Sequence, residues 1–324
     1  MKTRPFKQVD VFTDTPYLGN PLAVVLDGSG LSTEDMQQFA CWTNLSETTF
    51  LLPPTSEAAA QGADYQVRIF TTAYEMPFAG HPTLGSCHAW LEAGGQPRHP
   101  KYIVQQCPVG LVRIRYTSQP IAFAAPVLTR SPVDPDVVTG LRAALGLQPE
   151  QVRDAQHLVN GPRYIGLLLD QAATVVAIQP KLAELRTCME RAGISGIGMA
   201  ALNTPDIGSG LIKRSNREAR AFANHADTTV AISLADPASP SSQTHITVRF
   251  FANDVMVVED PVTGSFNASL AQWLIADGLA PSRYIATQGT CLGRFGQVHI
   301  SQDASDQVWV GGASVTCVEG SVTL

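Results

Sequence analysis

The chain has 324 residues, of which 44% are hydrophobic and 15% charged, and a net charge of −6; this is the composition of a globular protein long enough for two domains, each with its own core. The acidic balance and the lack of Lys/Arg clusters argue against nucleic acid or an anionic membrane as partner. No apolar run reaches the length of a spanning helix, and the start, Met1-Lys-Thr-Arg-Pro-Phe6, lacks a signal-peptide core, so the sequence predicts a cytoplasmic protein with no membrane partner.

Taken in order, residues 6–26 read as a hairpin: a β-rich run to Phe12, a turn-rich stretch through Gly19-Asn20-Pro21, then a buried strand. Ser32 and Asp35 have the S-x-x-[DE] spacing of a capping box and open a helix to about Trp42. Residues 44–51 (NLSETTFL) follow as a strand carrying one acid, Glu47, among hydroxyls. Glu47 is the first candidate for chemistry; the plain alternative is a solvated strand residue. Residues 53–63 are a polar connection. The run VRIF at 67–70 reads as a strand, followed by Glu75-Met-Pro77-Phe-Ala-Gly80-His81-Pro82 and an apolar segment ending at Gly94. Residues 102–116 hold two strand-like runs about the turn Pro108-Val109-Gly110, and the Pro-rich, aperiodic stretch 120–135 predicts the domain crossover.

Beyond it, 136–145 with Gly146 behind reads as a helix. Asn160-Gly161-Pro162-Arg163-Tyr164 followed by IGLLL echoes Gly19-Asn20-Pro21 followed by LAVVL. A strand at VVAI (175–178) and a helix from about 181 to 192 come next, and a polar insertion near 235–244 precedes VRFF at 248–251. Glu259-Asp260-Pro261-Val-Thr-Gly264-Ser265 then leads into an apolar segment ending at Gly278. The tail reads as short strands and turns, placed to cross back to the first domain's sheet.

Two of these stretches are one plan written twice. In a single register Glu75 aligns with Glu259, Pro77 with Pro261, Gly80 with Gly264 and Gly94 with Gly278. Each copy is a strand, a Pro/Gly loop and a helix apolar on every side, which predicts a buried central helix per half. The helices are expected to begin right after Gly80-His81 and Gly264-Ser265, with Pro82 at a first helical position, His81 or Ser265 as cap, and Gly94 and Gly278 as left-handed stops. Unpaired N–H groups at two such starts make an anion site. A pseudo-twofold would then aim both at one cleft and one small anionic ligand. Glu75 and Glu259, being symmetric duplicates, read as loop anchors.

Several chemistries find no motif. No G-x-G-x-x-G runs from a strand into a helix and there is no P-loop lysine, so no nucleotide cofactor is indicated. The seven histidines show neither H-x-x-x-H nor H-E-x-x-H spacing, and the six cysteines (Cys41, Cys87, Cys107, Cys188, Cys291, Cys317) form no C-x-x-C. Neither a metal site nor a disulfide framework is indicated, and most of the thiols are expected in the core.

The runs VDVFTDTPYLGNPLAVV, NLSETTFLL, MPFAGHPTLGS, VRFF, EDPVTGS and VWVGGASVTCVEG together resemble the family of the phenazine-biosynthesis protein PhzF, over nearly the whole chain. The resemblance implies an α+β fold of the diaminopimelate epimerase-like type: two pseudosymmetric domains, each a rolled, mostly antiparallel sheet around a central helix. Here these are residues 1–122 and 123–307, with a tail from about 308 to 324 returning to the first. It implies a homodimer and a cofactor-free isomerase moving a hydrogen between ring carbons. It places Glu47, His81, Asp260 and Ser265 in the cleft as catalytic residues, with Ser46, Gly80 and Gly264 binding substrate. A partly buried carboxyl suits such proton transfer, and the helix starts suit charge developing on the substrate. A helix cap for His81 or Ser265 and a loop-stabilising Asp260 are the plain alternatives. Two departures bear on substrate: Phe266-Asn267 stands where Ala-His is common, so Phe266 is expected to narrow the pocket, and Val255–Val258 lengthens a nearby loop. An amino-acid racemase and a non-catalytic binding protein are the competing readings. The two-thiol mechanism of the first lacks a Cys in 75–81 or 259–265.

Overall fold

Strands form where β-branched and aromatic residues alternate between turn residues, as in Tyr65–Phe70, whose side chains alternate between buried and half-buried up to Ile69, with Phe70 buried as well. The computed structural model describes residues 1–117, 120–203, 245–253 and 258–324. Among them the first stretch of chain contains β1 (Thr3–Val11), β2 (Asn20–Val25), α1 (Thr33–Thr43), β3 (Glu47–Leu52), α2 (Ser56–Ala60), β4 (Tyr65–Phe70), β5 (Glu75–Met76), α3 (Gly80–Glu92), β6 (Tyr102–Cys107), β7 (Gly110–Arg115), β8 (Ala122–Ala124) and β9 (Thr129–Pro132). The second contains α4 (Pro135–Leu145), β10 (Val152–Val159), β11 (Arg163–Leu169), α5 (Ala172–Ala177), α6 (Leu182–Ala192), β12 (Gly196–Leu202), β13 (His245–Ala252), α7 (Gly264–Ala276), β14 (Arg283–Gln288), β15 (Gly296–Gln302), β16 (Val308–Gly311) and β17 (Ser314–Thr323).

The architecture is α+β, a large mixed sheet with few helices. Along β1-β2-β3-β4-β6-β7-β8 the pairings run antiparallel, parallel, antiparallel, parallel, antiparallel, antiparallel. The same order recurs along β10-β11-β12-β13-β14-β15-β16. The two runs meet where β8 pairs with β16, while β17 pairs with β1 and β9 with β10. The expected hairpins at 6–26 and 102–116 are present as β1–β2 and β6–β7.

The main core lies around α3 and α7. In α7 every residue from Gly264 to Ala271 is buried, and so are Trp273 and Leu274; in α3 every residue from Gly80 to Cys87 is buried. Burying a side chain such as Leu84, Leu270 or Phe266 contributes about 1.5–3 kcal/mol, which is what holds two weakly amphipathic helices inside the sheet. A second cluster packs α4 and α6 against β11 and β12, and a third packs α1 on β3. No helix of the described residues is long and apolar enough to cross a membrane.

Several local expectations are corrected. The VVAI run is helical, as α5 through Ala177: four apolar residues fit a strand or a buried helix equally, and here Arg249 Nη1 donates to the carbonyls of Val175, Val176 and Ile178 at the helix's end. The stretch 120–135, where the domain crossover is expected, is not without order of its own: it contains β8, β9 and the first residue of α4, since the strands' partners β7, β16 and β10 supply an order absent from the local pattern. The tail past Gly312 is one ten-residue strand rather than short pieces. Of the cysteines only Cys87 and Cys107 are buried; Cys41 and Cys291 are exposed, Cys188 and Cys317 lie between, and all six are free thiols. The insertion near 235–244 and residues 255–257 lie outside the described residues.

Candidate functional site

Helices α3 and α7 start on glycines that touch. A Cβ added to Gly80 would lie 3.0 Å from Gly264 Cα and 2.9 Å from Phe123 Cζ; one added to Gly264 would lie 3.2 Å from Gly80 Cα. Only glycine lets two helix starts approach so closely. This moves the starts from where the sequence put them: Gly80 and Gly264 are themselves helical, Pro82 is the third helical residue, and the N-caps are Ala79 and Thr263, neither with a side-chain capping bond. Neither His81 nor Ser265 is a cap. Their side chains are free for other work because the backbone enters the helix before reaching them. Gly94 and Gly278 do take the left-handed conformation past the helix ends.

Asn20, the first residue of β2, is fully buried and holds the site together. Its Nδ2 donates to Asp260 Oδ1 at 2.8 Å and to the Val262 carbonyl at 3.0 Å, and its Oδ1 accepts from Ser46 Oγ at 3.4 Å. These two donations use both amide hydrogens; His81 Nδ1, 3.4 Å from the same nitrogen, is a close neighbour. Thr263 Oγ1 donates to the other Asp260 oxygen at 2.7 Å, so both carboxylate oxygens have partners. Gln288 Nε2 donates to the Asp260 carbonyl at 3.0 Å, and Asn267 Nδ2 donates to Gln288 Oε1 at 3.0 Å. Asn267 thus buttresses the loop carrying Asp260.

Glu47 opens β3, with only Leu45 and Ser46 between it and the left-handed Asn44 that ends α1. Its side chain is 15% exposed, which sets aside the solvated-residue reading, and its Oε2 lies 3.4 Å from His81 Nε2. Nε2 itself has no hydrogen-bond partner. Burial pushes His81 down to about 4, against the pull of Asp260 and Asp10 in the other direction. The imidazole is therefore neutral at neutral pH, and its contact with Glu47 is not a salt bridge there. Asp260 is only partly buried as a residue, yet its enclosed carboxyl group is pushed above the ordinary range by desolvation and then by the Glu47 charge.

On the far side, Ser265 Oγ lies 2.9 Å from Tyr164 OH, and Asn160 Nδ2 donates to the Ser265 carbonyl at 2.8 Å. Phe266 does not line this site. It is fully buried in the core, where its ring packs on Tyr164 and Phe250 and occupies the space a Gly198 side chain would need. The duplicated acids hold their loops: Glu75 takes Arg68 Nε and Nη2 at 2.7 and 2.6 Å, and Glu259 takes Arg249 Nε and Nη2 at 2.8 and 2.9 Å.

The fold thus brings Glu47, Ser46, His81 and Asp260 together with Gly80 and Gly264, and sets Ser265 beside Tyr164. Sequence reasoning missed Asn20, Asn160 and Tyr164 as functional candidates. The signal was present, for all three lie in the Gly19-Asn20-Pro21 and Asn160-Gly161-Pro162-Arg163-Tyr164 echo. Among the described residues no three His, Cys, Asp or Glu side chains form a metal-holding group. A carboxylate beside a neutral imidazole, below two helix starts, can take a proton from a carbon acid and stabilise the resulting charge.

The family described as phenazine biosynthesis-like protein matches this chain over residues 9–207 and 213–320. The chain is 31% identical over 336 aligned residues to the Schizosaccharomyces pombe protein antisense-enhancing sequence 1, covering 99% of each. It is 34% identical to a Pseudomonas aeruginosa trans-2,3-dihydro-3-hydroxyanthranilate isomerase over 53% of this chain and 59% of that one. The fold is similar to that of a PhzF-family phenazine biosynthesis protein from Bacillus anthracis, with a TM-score of 0.76 at 20% identity over the full length of both. The chain belongs to the phenazine biosynthesis-like, or PhzF, family.

Proposed function

We propose that the chain is a cofactor-independent isomerase that moves a proton between carbons of a small carboxylate substrate. Its cleft lies between two pseudosymmetric domains, residues 1–122 and 123–307, with the tail 308–324 returning to the first. The recurring order of strand pairings, the β8–β16 junction and the contact of Gly80 with Gly264 support the pseudo-twofold. Relatives named as isomerases support the reaction class.

The observation that carries the reading is the Glu47 carboxylate 3.4 Å from a neutral His81, where α3 and α7 begin. Glu47 takes a proton from one substrate carbon, and the electrons of that C–H bond spread into the conjugated substrate. The first-turn N–H groups of the two helices stabilise the charge that forms. Protonated Glu47 then returns the proton to a second carbon, so no electrons leave the substrate. Asp260, with both oxygens engaged, fixes Asn20 and Thr263 and sets the local field; Ser46 and Ser265 supply hydroxyl contacts. The resemblance also carries a cytoplasmic homodimer, whose mass light scattering measures directly.

Turnover of trans-2,3-dihydro-3-hydroxyanthranilate in deuterated water is the test. Solvent deuterium at a substrate carbon, with a loss of about 100-fold or more in Glu47→Gln, is expected. Binding without exchange would support the binding-protein reading instead, and full turnover by Glu47→Gln would remove Glu47 as the base.

A further inference from the structure

Two hydroxyls meet at the start of α7, Tyr164 OH and Ser265 Oγ, 2.9 Å apart. Each brings one hydrogen and only one is needed between them, so one proton of the pair is left over. Which one depends on donor strength. A phenol is far more acidic than an aliphatic alcohol and is the better donor, while the serine oxygen is the better acceptor. We propose that Tyr164 is a positioning residue that donates to Ser265 Oγ and thereby turns the Ser265 proton toward the ligand.

The surroundings hold this arrangement in place. Tyr164 is 5% exposed, and its ring is wedged edge-on against Phe250 at 5.1 Å and Phe266 at 6.1 Å between centroids. Asn160 fixes the Ser265 backbone through its carbonyl. Burial, then the charges of Asp260, Glu47 and Tyr74, push the phenol's ionisation up, so it remains a donor through neutral pH. The role of Phe266 follows: its bulk braces the Tyr164 ring from the core side.

The inference rests on the isomerase reading for its ligand class, and its test separates the two. Binding of anthranilate, an aromatic carboxylate sharing the skeleton of the relatives' named substrate, is measured by calorimetry in the wild type, Tyr164→Phe, Ser265→Ala and the double variant, with urea midpoints as a check on folding. Tyr164→Phe is expected to weaken binding about tenfold, Ser265→Ala by a similar factor, and the double variant no further than Ser265→Ala, because the tyrosine acts only through the serine. Additive losses, or unchanged binding in Tyr164→Phe, overturn it. Should the wild type bind no anthranilate, the small-carboxylate reading fails. Tyr164 is still judged without ligand by the ultraviolet resonance Raman tyrosine doublet in the wild type minus Tyr164→Phe difference: a donor signature upholds the assignment and an acceptor signature overturns it.

Discussion

Asn20 and Asp260, far apart in sequence, are joined by a 2.8 Å hydrogen bond from a fully buried carboxamide. With the second bond from the same nitrogen to the Val262 carbonyl, it ties β2 to the loop leading into α7. Asn20→Ala leaves the Asp260 carboxylate and a carbonyl without their donor. The expected cost is about 2–4 kcal/mol in urea unfolding, from two buried acceptors at about 1–2 kcal/mol each. Activity should fall with it. A stability loss below half a kcal/mol would mean that water replaces the amide without penalty.

The acid dependence of stability carries a sign that His81 determines. Its folded value, about 4, lies below the ordinary 6.5, so the unfolded chain takes up the proton first as the pH drops. The stability tied to neutral His81 is fully present above pH 6.5 and is lost toward pH 4, by about 3 kcal/mol. Asp260 opposes this: its raised value makes the folded state hold a proton longer, so its penalty is absent below 3.8 and grows as the pH rises through that raised value. Wild-type stability can therefore look flat. The difference between wild type and His81→Asn isolates the histidine, and should shift in favour of wild type as the pH rises from 4 to 6.5. A difference independent of pH would contradict the assignment.

Replacing glycine by alanine inside a helix normally stabilises by about 1 kcal/mol. Gly80→Ala should do the reverse, because the new methyl meets Gly264 Cα at 3.0 Å and neither backbone can yield. A net loss of about 1–3 kcal/mol is expected. Gly264→Ala, with nearest contacts of 3.1 Å to the Phe12 ring and 3.2 Å to Gly80 Cα, should cost less. Thermal unfolding ranks the two, and a stabilised Gly80→Ala would falsify the close approach.

Phe266→Ala should cost about 3–5 kcal/mol as a core truncation, while Gly198→Ala, whose methyl would fall 2.0 Å from the Phe266 ring, should destabilise by overpacking. Combining them should recover part of the loss, since each relieves the other's misfit in volume. Chemical denaturation of the two single variants and the pair reads this out, and strict additivity would show that the ring and the glycine do not share a space.

What the sequence made legible was local or duplicated. The Ser32–Asp35 capping box is reciprocal, with bonds of 3.1 and 3.2 Å; α4 and α6 start within a residue of expectation; and the aligned glycines led to the contact of α3 with α7. What escaped depended on partners remote in the chain. Asn20 looks like an ordinary turn residue until Asp260 is placed beside it. The sequence points Phe266 toward the pocket because it follows Ser265, yet successive helical residues point about 100° apart, and that rotation carries the ring to Gly198. The α5 segment needed Arg249 to settle an ambiguous apolar run.

The pairing of β17 with β1, from Thr3 beside Thr323 to Val11 beside Ser314, sets an order on biosynthesis. Strand β1 leaves the ribosome long before its partner β17 is made. Until then β1 has only β2, and its other side is an open edge of the kind that recruits foreign strands. A chain ending before Ser314 should therefore aggregate in light scattering, whereas a dispersed product would show that the edge is guarded by other means. A nascent chain released before β17 is made exposes the cell to that edge, and a holding chaperone would find its task along β1.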